Sequence, residues 1–115
     1  MKLLTKAIEK RFEQYPLYSQ DGKGFNAKVI VKFFAPGMYG TWYITEASRK
    51  NDDWIMYGYC QGPQGQWEWG YISFNELSKI RIKPFNLPIE RDIYYDGKST
   101  VAEMLRDERG IYVNG

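Results

Sequence analysis

Apolar residues at the start of the chain return every fourth position. Leu4, Ile8 and Phe12 fall on one side of a helical wheel, while Lys6, Glu9, Lys10 and Glu13 point away. That spacing predicts a short amphipathic helix. Tyr15-Pro16 ends it, because proline pushes the residue before it out of the helical region. After a polar loop, Ser19-Gln20-Asp21-Gly22-Lys23-Gly24, the period drops to two. Four runs then read as strands, at residues 27–34, 40–47, 54–60 and 66–72. In the first, Val29, Val31 and Phe33 face one way and Lys28, Ile30 and Lys32 the other. In the second, Trp42 and Ile44 oppose Tyr43 and Thr45. The third sets Ile55, Tyr57 and Tyr59 against Trp54, Met56 and Gly58, and the fourth sets Trp67, Trp69 and Tyr71 against Glu68. The connections are short: Pro36-Gly37, the charged loop Arg49-Lys50-Asn51-Asp52-Asp53, and Gly62-Pro63-Gln64-Gly65. Short turns between alternating runs predict an antiparallel meander.

Beyond the fourth strand, Ser73-Phe74-Asn75-Glu76 has capping-box form and predicts a helix through Leu77 and Ile80. Residues 81–85 and 89–95 read as extended pieces divided by Asn86-Leu87-Pro88. Thr100 and Glu103 form a second capping box, opening a helix that holds Val101, Met104 and Leu105. The tail at residues 107–115 fits either a last strand or a frayed end. The expectation is one α+β domain over residues 1–115. Its antiparallel meander has about four to six strands, flanked by short helices near both termini.

Composition narrows the chemistry. The chain of 115 residues has no histidine, which excludes histidine-based triads and dyads, imidazole bases and His-ligated metals. The single cysteine, Cys60, cannot form an internal disulfide or seed a zinc cluster. A lone thiol, with no signal-peptide pattern and no membrane-length apolar run, fits a cytoplasmic protein with no membrane association. With 16 Lys and Arg against 14 Asp and Glu, net charge names no partner. Gly22-Lys23-Gly24 lacks the context of a phosphate loop or dinucleotide fingerprint. Asn51-Asp52-Asp53 lacks calcium-loop spacing and reads as a hairpin turn. No cofactor and no metal site is expected.

Two features remain. Glu46 and Glu68 sit in strands amid aromatics, where desolvation suits a carboxyl to general acid work. Paired with basic residues on a solvated sheet face, they would be ordinary surface, and the chain is expected not to be an enzyme. The stronger feature is twenty aromatic residues, ten Tyr, six Phe and four Trp, concentrated in the strands. An exposed aromatic sheet flanked by cations can stack single-stranded nucleic acid or anchor a protein partner. The candidate binding residues are Trp42, Tyr43, Trp67, Trp69 and Tyr71, with Lys28, Lys32, Arg49 and Arg91 as the cations. The competing expectation is that helices cover the sheet and the rings are core.

Five segments carry a family resemblance. They are Leu3-Leu4-Thr5-Lys6, Val31-Lys32-Phe33-Phe34-Ala35-Pro36, Gly40-Thr41-Trp42-Tyr43-Ile44-Thr45-Glu46, Trp69-Gly70-Tyr71-Ile72-Ser73-Phe74-Asn75-Glu76-Leu77 and Leu87-Pro88-Ile89-Glu90-Arg91-Asp92. In these the chain resembles the small bacterial family catalogued as domain of unknown function 2958. Such proteins are typically encoded on plasmids, conjugative elements and phages, often near anti-restriction and DNA-processing genes. The resemblance implies a small accessory protein of a mobile genetic element that binds nucleic acid or a protein, or that inhibits a host defence system. It carries over no active site.

Overall fold

In the computed structural model, which describes residues 2–114, the period-two runs become the first four strands of one antiparallel sheet. They are β1 (Val31–Phe34), β2 (Thr41–Lys50), β3 (Asp53–Gln61) and β4 (Trp67–Ser73). After them come β5 (Arg81–Ile82) and β6 (Leu87–Pro88), which pair as a separate hairpin, and β7 (Glu90–Arg91), which adds to the edge of β1. The spatial order is β4-β3-β2-β1-β7. Helices α1 (Lys6–Gln14), α2 (Phe74–Lys79) and α3 (Val101–Arg109) complete a single α+β domain.

Each helix starts where a hydroxyl residue can accept from an otherwise orphaned backbone N–H. Thr5 accepts from Ile8 N, Ser73 from Glu76 N, and Thr100 from Glu103 N. Only Thr100 and Glu103 make the reciprocal box, with Glu103 Oε1 accepting from Thr100 N at 2.9 Å. The β2–β3 turn needs just two residues, Asn51 and Asp52, and Asn51 takes the left-handed backbone (φ 58°) that asparagine tolerates.

The sheet is covered on both faces, which divides the core. On the first face, Phe12 of α1 and Leu77 of α2 pack with Phe33, Ile44, Ala47, Trp54 and Met56. On the second face, Val101, Met104 and Leu105 of α3 pack with Val29 and Tyr43. Asp53 ties the start of β3 to the α2 N-terminus, accepting from Trp54 N, Asn75 N and the Ser73 hydroxyl. No helix is long and apolar enough to cross a membrane among the described residues.

Three expectations need correction. Regular pairing starts at Val31, not at residue 27. Ahead of it Val29 donates to Ser99 O and Ile30 to Ile44 O, so Val29 joins the second-face core and Ile30 the first. Strict alternation cannot hold through a segment with two different partners. The expected extended pieces after α2 shrink to the two-residue strands β5, β6 and β7. The tail forms neither a strand nor a simple fray. Helix α3 continues to Arg109, and Gly110 caps it at φ 65°, where residues with a side chain are strained. Residues 110–114 then run without regular structure, and residue 115 lies outside the described residues.

Candidate functional site

The sheet places the nominated aromatics on two faces. Trp42 lies on the first face, packed against the α1–α2 core. Tyr43, Trp67, Trp69 and Tyr71 lie on the second face, where Tyr57 and Tyr59 of β3 join them. Ring contacts there form an unbroken ladder. Tyr43 stacks on Trp67 (5.6 Å), Trp67 on Tyr59 (5.3 Å), and Tyr59 meets Trp69 at a tilt (5.0 Å). Trp69 stacks on Tyr57 (5.7 Å), and Tyr57 meets Tyr71 (4.9 Å). Directly opposed residues of β3 and β4 meet tilted, and diagonal neighbours stack nearly parallel, so successive rings share the pleat without collision.

The two ends of the ladder differ in exposure, with four half-buried rings between them. Tyr43 is fully buried under α3, its hydroxyl donating to Glu108 Oε1 at 2.6 Å. Burial and then the Glu108 carboxylate raise its pKa well above the ordinary phenol value. Trp67 is half-buried beneath the Arg109 guanidinium, which sits 5.6 Å from a ring centroid. At the far end Tyr71 is 57% exposed. The rings are therefore core at one end and surface at the other.

The cations do not gather there. Lys32 is held by Glu108 (3.0 Å) and Asp92 (3.7 Å). Arg49 lies against Trp54, 5.5 Å from its ring, on the first-face side. Lys28 is tied into a backbone bridge with Thr100, and Arg91 Nε donates to Lys2 O across the domain.

Beside the exposed end of the ladder lies a cavity of ≈ 480 Å³, walled by the loop at residues 18–24 and by Glu46, Tyr57, Trp69 and Tyr71. Glu46 reaches it through a β-bulge. The register of β2 against β3 slips between Ile44 and Glu46, leaving Thr45 as the extra residue. Ile44 and Ala47 both keep the first face, while Glu46 turns onto the second, opposite Tyr57. Glu46 is only 5% exposed, and no basic residue of the neighbouring strand faces it. Its two carboxylate oxygens accept from Tyr18 N (2.9 Å) and Gln20 N (2.8 Å). Gln20 is itself buried, donating from Nε2 to Lys28 O and Thr45 O and accepting from Lys28 N. This polar knot fixes the loop and holds Tyr18 at φ 74°, a left-handed backbone unusual for a bulky side chain.

Tyr18, Gln20, Tyr57 and Tyr59 were outside the site expected from sequence. The β3 tyrosines were visible as one strand face. Tyr18 and Gln20 gave no periodic signal, because a bulge and a loop, not alternation, bring them to Glu46. Glu68 lies on the other face, so Glu46 and Glu68 share no cleft. Glu68 lines a more apolar cleft of ≈ 570 Å³ with Trp42, Tyr39, Met38 and Cys60. Burial, with Glu68 beside it, pushes the Cys60 thiol up to about 12. At pH 8 roughly one molecule in 10⁴ then holds a thiolate. A higher-pKa thiolate is more nucleophilic, which recovers part of that loss. Cys60 is expected to react with Ellman's reagent roughly 10²-fold more slowly than free cysteine at pH 8. Equal rates would show that the cleft does not desolvate it.

Neither a curated protein nor a solved structure matches this chain. A family model described as protein of unknown function (DUF2958) matches residues 3–110, which takes in every strand, all three helices and both cavities. The chain belongs to the DUF2958 family.

Proposed function

We propose that the protein is a non-enzymatic binding module, an accessory of a mobile genetic element, that engages a protein partner through the Trp69–Tyr57–Tyr71 end of its second face. The supporting observation is the contrast between the ends of the ring ladder, buried under α3 at Tyr43 and open at Tyr71 on the sheet-edge strand β4. Large rings backed by a rigid core lose little entropy on binding and dominate interface hot spots. An uncovered edge strand also offers backbone groups to a partner. Single-stranded nucleic acid is the weaker reading. Lys32, Arg49 and Arg91 make their contacts away from the open rings, and the cavity beside those rings carries Glu46 and Asp21, which repel phosphate.

A photo-crosslinking amino acid placed at Tyr71 tests this in bacterial cells, with Tyr94 as control; both are exposed, but Tyr94 lies outside the ladder. A discrete protein adduct at position 71 and none at 94 is the expected result. Equal adducts at both positions would sink the interface. Tryptophan quenching and anisotropy with a labelled single strand, weakened by salt, would instead favour nucleic acid.

A further inference from the structure

We propose that the cavity beside the residue 18–24 loop is a receptor for a guanidinium group, presented by an arginine of the protein partner. The inference rests on the interface reading above and names the partner chemistry that the same end of the sheet recognises.

Four rings line the cavity, Tyr18, Tyr57, Trp69 and Tyr71, together with the carboxyl groups of Glu46 and Asp21 and no Lys or Arg. Aromatic faces carry negative quadrupole charge and attract cations, most strongly where water is thinned. The carboxylates add two formal negative charges to the same space. Burial first, and then the charges of Glu46 and Asp21, raise the Tyr57 hydroxyl. Tyr71 is raised first by its hydrogen bond with Tyr18, with Glu46 contributing. Burying a carboxylate is unfavourable unless it is compensated. Glu46 spends one lone pair of each oxygen on the loop N–H groups, and a second remains on each.

The chemistry of the lining favours guanidinium over ammonium. A planar guanidinium can lie flat on a ring while its edge donates a fork of hydrogen bonds to a carboxylate. The volume of ≈ 480 Å³ lies within the range of small-ligand clefts, about 300–1,000 Å³, and leaves room for a side chain entering from a bound surface. The walls are set before any ligand arrives. Glu46 and Gln20 fix the loop, and the ladder fixes Trp69 and Tyr57. Little ordering is then left to oppose binding.

The test uses blocked arginine (N-acetyl-arginine methylamide) as probe, with the citrulline and lysine counterparts as controls, followed by tryptophan fluorescence of the intact protein. Saturable quenching by the arginine probe is expected, with the neutral citrulline analogue at least about tenfold weaker and lysine intermediate. Asp21→Asn and Tyr71→Ala are exposed changes that leave the core intact, and each is expected to weaken binding several-fold. Absence of saturation at tens of millimolar, or equal binding of citrulline, overturns the site. With the crosslinker moved to Ser19, an exposed loop residue that does not line the cavity, excess blocked arginine is expected to suppress the adduct. Arginine binding that leaves the adduct intact overturns the partner's arginine as its source. The fluorescence titration needs no partner, so failure of the interface and failure of the cavity are read separately.

Discussion

Gly58→Ala is expected to destabilise the protein by about 3–5 kcal/mol, a large share of the ~5–15 kcal/mol that holds a domain of this size together. The cause is one methyl group in occupied space. A Cβ at position 58 would stand 2.0 Å from Tyr43 O, 2.8 Å from Tyr43 C and 2.9 Å from Ile44 Cα. These are backbone atoms of β2 just ahead of the bulge, so no side-chain rotation relieves the clash. Either β2 separates from β3 or the bulge is lost, and both disrupt the longest strand pairing in the sheet. Gly70, directly opposite Gly58 on β4, is the control. A Cβ there meets nothing within 4 Å, and Gly70→Ala is expected to change stability by less than about 1 kcal/mol, toward stabilisation. Urea unfolding followed by tryptophan fluorescence separates the two: the midpoint should fall steeply for Gly58→Ala and stay or rise for Gly70→Ala. Similar midpoints would mean that the bulge is soft enough to absorb the methyl group. The pair also distinguishes two glycines of one register position. Of the two, Gly58 alone meets a close backbone approach.

The same bulge explains how far the sequence could be read. Alternation predicted the faces of β3 and β4 correctly, because those strands pair without a slip from Ile55–Ser73 to Gln61–Trp67. The starts of α2 and α3 were legible because Ser73 and Thr100 cap locally, within three residues of the groups they bond, whereas spacing alone ran the first helix back to Leu4, ahead of its Thr5 cap. In β2 the period-two reading holds through Ile44 and then fails by one residue. Strict alternation would set Glu46 on the face of Trp42 and Ile44, against an apolar core. The extra residue, Thr45, avoids that outcome and sends Glu46 to the loop side, where backbone donors wait. No local sequence feature marks the slip, since Ile-Thr-Glu-Ala fits an ordinary strand. The surroundings of the candidate cations were hidden for a different reason. Lys32 finds Glu108, 76 positions away, once α3 folds over β1 and β2. Such pairing depends on tertiary placement and leaves no trace in composition or spacing.

Glu46→Leu is expected to cost about 2–4 kcal/mol while leaving the sheet intact. Leucine fills a similar volume but accepts no hydrogen bond, so Tyr18 N and Gln20 N lose charged acceptors at a site only 5% exposed. An orphaned buried donor costs about 1–3 kcal/mol, more than the net gain of an ordinary hydrogen bond, because its desolvation is no longer compensated. The loop can escape that penalty only by moving outward to reach water. Doing so breaks the Gln20 side-chain bonds to Lys28 and Thr45 and releases Tyr18 from its left-handed backbone. The expected signature is therefore local: faster amide exchange across residues 18–24 with unchanged protection in β3 and β4. Glu46→Gln should fall between, since one amide oxygen still accepts while the NH₂ group confronts the second donor. This ordering separates structural from electrostatic roles at one position. If the carboxylate served only to hold the loop, Gln would retain arginine binding in proportion to loop order. If its charge also receives a guanidinium, Gln should lose binding further than the exchange data account for. Uniform loss of protection across the whole sheet in Glu46→Leu would contradict both, placing Glu46 in the global core and not at the hinge between loop and bulge.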